Sequence, residues 1–198
     1  SVKDKIKVHK GMVGEIFEGL TGRIPNSSQE PDINNLGIDL KVIPVRELVR
    51  GGFTVKERSK ITSINYSKLR NENWETSKVK YKSNILFNVY EVPHGCGFDE
   101  LDKMVFFGPI LFYIDETEHL EQIKGDWTKV QNIVYELKAH TLSTSITELL
   151  EASTSGSGAE KNYHPNAPSA IERSFSYKPS SLATPNSRLY YNFRFYFF

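Results

Sequence analysis

The chain has 198 residues, 38% of them hydrophobic and 12% aromatic, which is enough apolar material for one globular domain spanning residues 1–198. Its longest apolar run, residues 104–114, contains a Gly-Pro pair and is too short to cross a bilayer as a helix. The N-terminus also lacks a secretory segment, so we expect a cytoplasmic protein without a membrane partner. The single cysteine excludes an internal disulfide and a multi-cysteine zinc site.

The net charge of +1 conceals two segments of opposite sign. Residues 41–82 carry 11 Lys or Arg against 4 acids, whereas residues 90–126 carry 2 against 9. A basic surface attracts the phosphate backbone of nucleic acids, because its cations release the counterions that condense there. Two solvated faces that balance each other are the alternative interpretation of this pattern.

The first elements in chain order are a helix and a strand. An amphipathic helix is predicted over residues 3 to about 20, because apolar side chains recur there at three- and four-residue spacing. A turn-rich stretch, SSQEPDINN, follows, and residues 36–45 are the first strand candidate. The Gly51-Gly52 pair predicts a hairpin return into a second strand over residues 60–66.

Two further apolar segments, residues 84–92 and 104–114, are predicted to be the remaining strands of a sheet. The period then changes to that of a helix, with Asp126 as the expected N-cap. The helical spacing is carried by Trp127, Val130, Val134 and Leu137. We therefore expect an α/β domain in which this helix packs on the sheet.

The C-terminal part of the chain is less regular. A stretch rich in Ser, Gly and Pro, at about residues 153–169, predicts a mobile loop. Residues 185–198 form a tail that is dense in aromatic side chains, and a strand, a partner-binding surface or an atypical terminus are all compatible with it.

The segment PDINNLGIDLK contains the residues most suited to catalysis. If it leads into a strand, Asp39 and Lys41 project from the same face, while Leu40 and Val42 project from the other. Asp32 precedes the strand in a turn that can fold its carboxylate back beside Asp39. Two convergent carboxylates suit Mg²⁺, and the lysine could orient an activated water or balance developing charge. A solvated ion pair at a strand edge is the commoner origin of such a pattern.

The same segment matches the PD-(D/E)xK pattern of restriction endonucleases. The longer stretches PDINNLGIDLKVIPV, VKERSKITSINY and NENWETS closely resemble the MutH-like family of GATC-cutting type II restriction enzymes. KGMVGEIFE resembles the first-helix motif of that family, IKGDW with KAHTLS resembles another segment, and RSFSYK resembles its R-x-F-x-x-K stretch. These motifs follow the family's order over about residues 8–184. The resemblance implies a restriction-endonuclease-like fold, with a mixed central β-sheet flanked by helices.

The resemblance also implies roles for individual residues. The catalytic set would be Glu18, Asp32, Asp39 and Lys41, and the three acids among them would bind Mg²⁺. Contacts to double-stranded DNA would come from Lys56, Arg58, Lys60, Arg173 and Lys178. The family usually has glutamate at the position of Asp39. Because aspartate is shorter, the backbone at this position must lie closer to the metal for the carboxylate to bind it.

The function implied is that of a type II restriction endonuclease, which cuts both strands of a short palindrome, GATC by resemblance, as a transient homodimer on DNA. Two alternatives remain open. One is a MutH-like nicking endonuclease that a mismatch-repair partner activates, and the other is a DNA-binding module that has lost catalysis.

Overall fold

The computed structural model describes residues 11–22, 30–49, 53–55, 57–96, 100–154, 163–164, 167–171 and 173–177, with backbone alone over 163–171. Its helices are α1 (Met12–Leu20), α2 (Tyr66–Leu69), α3 (Lys78–Tyr81) and α4 (Leu120–Tyr135). Its strands are β1 (Asp39–Glu47), β2 (Phe53–Val55), β3 (Ser59–Ser63), β4 (Ile85–Glu91), β5 (Val105–Phe112), β6 (Leu150–Thr154), β7 (Tyr163–His164), β8 (Ala167–Ile171) and β9 (Arg173–Tyr177).

The first sheet has the strand order β2-β1-β4-β5. β1 and β4 run parallel, and the other two pairs are antiparallel. In the parallel pair Asp39 lies opposite Ile85 and Lys41 opposite Phe87, so both strands begin at the same level. The mixed sheet and the flanking helices confirm the predicted fold class.

β1 is buried on both faces, which explains its nearly continuous apolar sequence. Ile43 and Val45 join the main hydrophobic core beneath α4. Val42 points the opposite way and packs with Val13 of α1 in a smaller cluster. α1 therefore lies across the face of the sheet opposite the main core.

A second sheet, of order β3-β9-β6, is antiparallel throughout. It contacts the first sheet through the rings of Phe112 and Tyr177, whose centroids are 5.7 Å apart. α4 packs against the core through Trp127, which meets Trp74 edge-on at 5.8 Å. The two larger sheets thus share one core.

The structure corrects the predicted path between the first two strands. β1 begins at Asp39 rather than at residue 36, because Asn34–Leu36 forms a 3₁₀ helix that Gly37 ends at φ 64°. The strand that returns along β1 is β2, whereas β3 belongs to the second sheet. The remainder of the predicted strand 60–66 turns into α2. Short helices of this kind carry too few residues for a periodic signal.

The expected N-cap at Asp126 is wrong, because α4 begins about two turns earlier, with His119 at its N-cap. The polar sequence LEQIKGD hides the start of the helix from a search for apolar spacing. Asp126 lies within the helix and is completely buried.

The loop predicted at 153–169 is also partly wrong, since β6 continues to Thr154 and the short pair β7-β8 begins within that range and ends at Ile171. Strands of two to five residues are too short for composition to reveal. The aromatic tail, residues 185–198, lies outside the described residues. Among the residues that the structure describes, no helix has the length and apolar character to traverse a bilayer.

Candidate active site

Asp39 and Lys41 form an ion pair at the beginning of β1. The Lys41 ammonium lies 2.6 Å from Oδ2 of Asp39, so the two side chains share one face of the strand as predicted. Asp39 is 1% exposed and Lys41 26% exposed. The backbone N–H of Asp39 donates to the carbonyl of Asn84 at 2.8 Å, which fixes the start of β1 against the chain entering β4.

A second lysine, which the sequence did not identify, reaches the same carboxylate. The Lys82 ammonium lies 3.3 Å from Oδ1 of Asp39. Lys82 follows the last residue of α3, three positions before β4 begins. Because β4 pairs in parallel with β1 and starts at its level, this short link delivers the lysine to Asp39. The lysine-rich composition of residues 78–82 was the one available signal, and it does not distinguish Lys82 from its neighbours.

The carboxylate of Asp39 is buried between the ammonium groups of two lysines. Neither of its oxygens has a hydrogen-bond partner among the described residues. Lys41 and Lys82 both lie within ion-pair distance of these oxygens and compensate the charge. Buried carboxylate oxygens left in this condition are suited to bind a hard cation.

Asp32 folds back towards Asp39 as predicted. Its Oδ2 accepts the backbone N–H of Leu40 at 2.8 Å, and a bridge between Ile33 and Ile38 closes the turn. This contact ties the Asp32 carboxylate to the residue directly after Asp39. The turn is therefore built by the same residues that carry the acidic groups.

Glu18 approaches this group from α1. Partial burial raises the pKa of the Glu18 carboxyl, the nearby charge of Asp32 raises it further, and Lys41 opposes the shift. Glu18 thus lies within electrostatic range of the other three residues. In this conformation, however, no three His, Cys, Asp or Glu side chains within the described ranges converge as a metal-binding group. Carboxylate oxygens are the type of ligand that Mg²⁺ prefers, so the three acids fit this ion chemically. To bind one ion together, their carboxylates must come closer to one another than they are in this conformation.

Three of the five residues expected at the DNA lie in or next to the second sheet. Arg58 pairs through Nε with Glu151, which is 0% exposed, and Lys60 is exposed on β3. Arg173 donates from Nη1 to the carbonyl of Ala152 at 2.8 Å, and burial lowers the pKa of its guanidinium. Two of these cations thus have structural partners. Lys56 and Lys178 lie outside the described residues.

The raised pKa of Glu18 leads to a testable prediction, because the folded protein binds this proton more tightly than the unfolded chain does. The charged carboxylate therefore destabilises the fold fully above the folded-state pKa, and the penalty vanishes below the unfolded-state pKa. Glu18→Gln should raise the melting temperature in EDTA at neutral pH, and this gain should disappear towards about pH 4. Calorimetry at both pH values tests it, with exposed Glu47→Gln as the control. An equal gain at both pH values would contradict the electrostatic explanation.

Comparison with known proteins gives a consistent family. Residues 22–126 match the model of the family described as DNA mismatch repair enzyme MutH. The chain is 33% identical over 185 residues to the type II restriction enzyme Sau3AI of Staphylococcus aureus. The aligned region covers 91% of this chain and 37% of that enzyme. It is 29% identical over 155 residues to the DNA mismatch repair protein MutH of Shewanella woodyi, covering 78% of this chain and 64% of the relative. The chain therefore spans less than two thirds of the length of either relative.

Proposed function

The chain belongs to the MutH family, and from this premise we propose that it is a magnesium-dependent endonuclease that hydrolyses phosphodiester bonds of double-stranded DNA. The observation that carries the proposal is the buried Asp39 carboxylate, which lies between two lysines with its oxygens free of hydrogen bonds. The resemblance to GATC-cutting restriction enzymes makes GATC the proposed site. By the same argument, a transient homodimer would place one active site on each strand of this palindrome.

Asp39, Asp32 and Glu18 are the residues that would hold Mg²⁺. When bound, this ion supplies Lewis-acid polarisation of a phosphoryl oxygen and lowers the pKa of a water molecule. The protein's own contribution is to keep carboxylates in a fixed place. Asp39 is fixed by β1, and Asp32 by its bond to the Leu40 N–H.

Lys41 would act on the reacting groups as a hydrogen-bond donor. Its ammonium carries three N–H donors and no acceptor, so it can orient the attacking water or stabilise the charge that develops on the phosphate. Its pairing with Asp39 holds it at the same end of β1 as the acids. The ammonium group of Lys41 and the carboxylate of Asp39 thus project from the same face of β1.

Cleavage of plasmid DNA tests the proposal. The protein should produce linear fragments ending at GATC in Mg²⁺ and none in EDTA, and Lys41→Ala should be inactive while still binding DNA. Parallel substrates with and without adenine methylation at GATC would establish the methylation rule. An active Lys41→Ala variant, or equal cleavage in EDTA, would refute the proposed site.

A nicking endonuclease is the second candidate, since relatives named as mismatch repair proteins also align over most of the chain. The same plasmid assay separates the two activities. Open circles that persist at high enzyme concentration indicate nicking, whereas linear product indicates a restriction enzyme.

A further inference from the structure

A basic cavity of about 550 Å³ lies between β3, α2 and α3. Four lysines line it, and Glu72 is the single acid among the described lining residues. The lysines are Lys60, Lys68, Lys78 and Lys82. A concave surface with this excess of one charge focuses the electrostatic potential and concentrates anions.

Two of the four lysines are not compensated by acids. Lys60 and Lys68 are exposed, and neither forms an ion pair within the part of the chain that the structure describes. Lys80, which is not among the lining residues, shows the contrast, because it pairs with both Glu75 and Asp115. Glu72 directs Oε1 towards the backbone N–H of Lys78 at 3.3 Å. The cavity therefore offers cationic groups that remain available to an external anion.

The cavity is continuous with the candidate active site through one side chain. Lys82 lines the cavity and also lies 3.3 Å from Oδ1 of Asp39. An anion held in the cavity would therefore lie close to the catalytic carboxylates. The backbone of DNA carries one phosphate per nucleotide, so further phosphates lie close to the one that reacts. In an enzyme that acts on DNA, such a neighbouring phosphate is the anion that the cavity would bind.

Resting on the proposed function, we propose that this cavity binds a backbone phosphate of the DNA substrate near the bond that is cleaved. Lysine ammonium groups act on phosphates as point charges, so the contact positions the duplex without reading its sequence. Lys60 and Lys68 supply the charge at the exposed side, and Lys82 marks the side that adjoins Asp39. The cavity thereby contributes affinity that is equal for GATC and for any other sequence.

The test compares the double variant Lys60→Gln/Lys68→Gln with a control of equal charge change, Lys124→Gln/Lys129→Gln, on α4. DNA binding is measured in metal-free buffer over a range of salt concentrations, with one duplex containing GATC and one with those bases scrambled. The cavity variant should bind both duplexes about tenfold more weakly. The slope of log affinity against log salt should fall by about 0.9, as expected for one lost phosphate contact. The control should match the wild type.

Two results would overturn the inference. One is a cavity variant with the affinity and salt slope of the control, and the other is a loss confined to the GATC duplex, which would indicate a base contact. Plasmid cleavage by the wild type is measured in parallel. If the wild type cleaves and the cavity variant binds normally, the cavity proposal alone fails, whereas a wild type that neither binds nor cleaves DNA refutes the proposed function.

Discussion

Replacing Asp39 with asparagine should reduce DNA cleavage by about 10³-fold or more, because it removes the buried carboxylate on which the proposed metal site depends. Asparagine has nearly the same volume, so the packing at the start of β1 should survive. The loss of charge leaves the ammonium groups of Lys41 and Lys82 without the carboxylate that compensates them. Single-turnover cleavage of a GATC duplex at saturating Mg²⁺ measures the effect.

Two variants show whether such a loss arises from the chemistry. Asp32→Asn keeps an oxygen that can accept the Leu40 N–H, so it should preserve the turn and lose activity through charge alone. Asp102→Asn removes an exposed carboxylate elsewhere in the acidic segment and should cleave like the wild type. Asp39→Asn activity within tenfold of the wild type would exclude this residue from the catalytic centre.

The pairing of Asp39 with Lys41 could be predicted from the sequence because it depends on local geometry. Residues two apart in a strand point the same way whatever surrounds them. The turn that brings Asp32 back also involves neighbouring residues, from Ile33 to Ile38. Short-range rules therefore predicted that Asp32, Asp39 and Lys41 lie together, whereas their catalytic role was implied by the family resemblance.

Contacts that depend on the arrangement of elements could not be predicted in this way. Lys82 reaches Asp39 because β4 pairs in parallel with β1, and Arg58 reaches Glu151 across 93 residues of sequence. Each of these charged residues resembles an ordinary surface residue when its own segment is considered alone. The metal-binding set, Glu18, Asp32 and Asp39, stays a prediction for a related reason. How close Glu18 comes to the two aspartates depends on how α1 packs on the sheet.

Asp126 is the clearest case of a charged residue whose role depends on the fold. Its Oδ2 accepts three backbone N–H groups, from Leu149 at 2.8 Å, Leu150 at 3.1 Å and Glu148 at 3.2 Å. Its Oδ1 accepts the side-chain amide of Gln122 at 3.0 Å. A single carboxylate within α4 thus satisfies the donors at the start of β6, the strand that carries the partner of Arg58.

Asp126→Ala should lower the free energy of unfolding by about 3–5 kcal/mol, because it leaves several buried donors without acceptors. Asp126→Asn should cost less, since the amide oxygen can still accept part of this set. Urea denaturation at neutral pH measures both, and the exposed Asp102→Ala serves as the control. A loss below about 1 kcal/mol for Asp126→Ala would mean that water replaces the carboxylate. A large loss would establish that the acid of the IKGDW segment anchors the second sheet to α4.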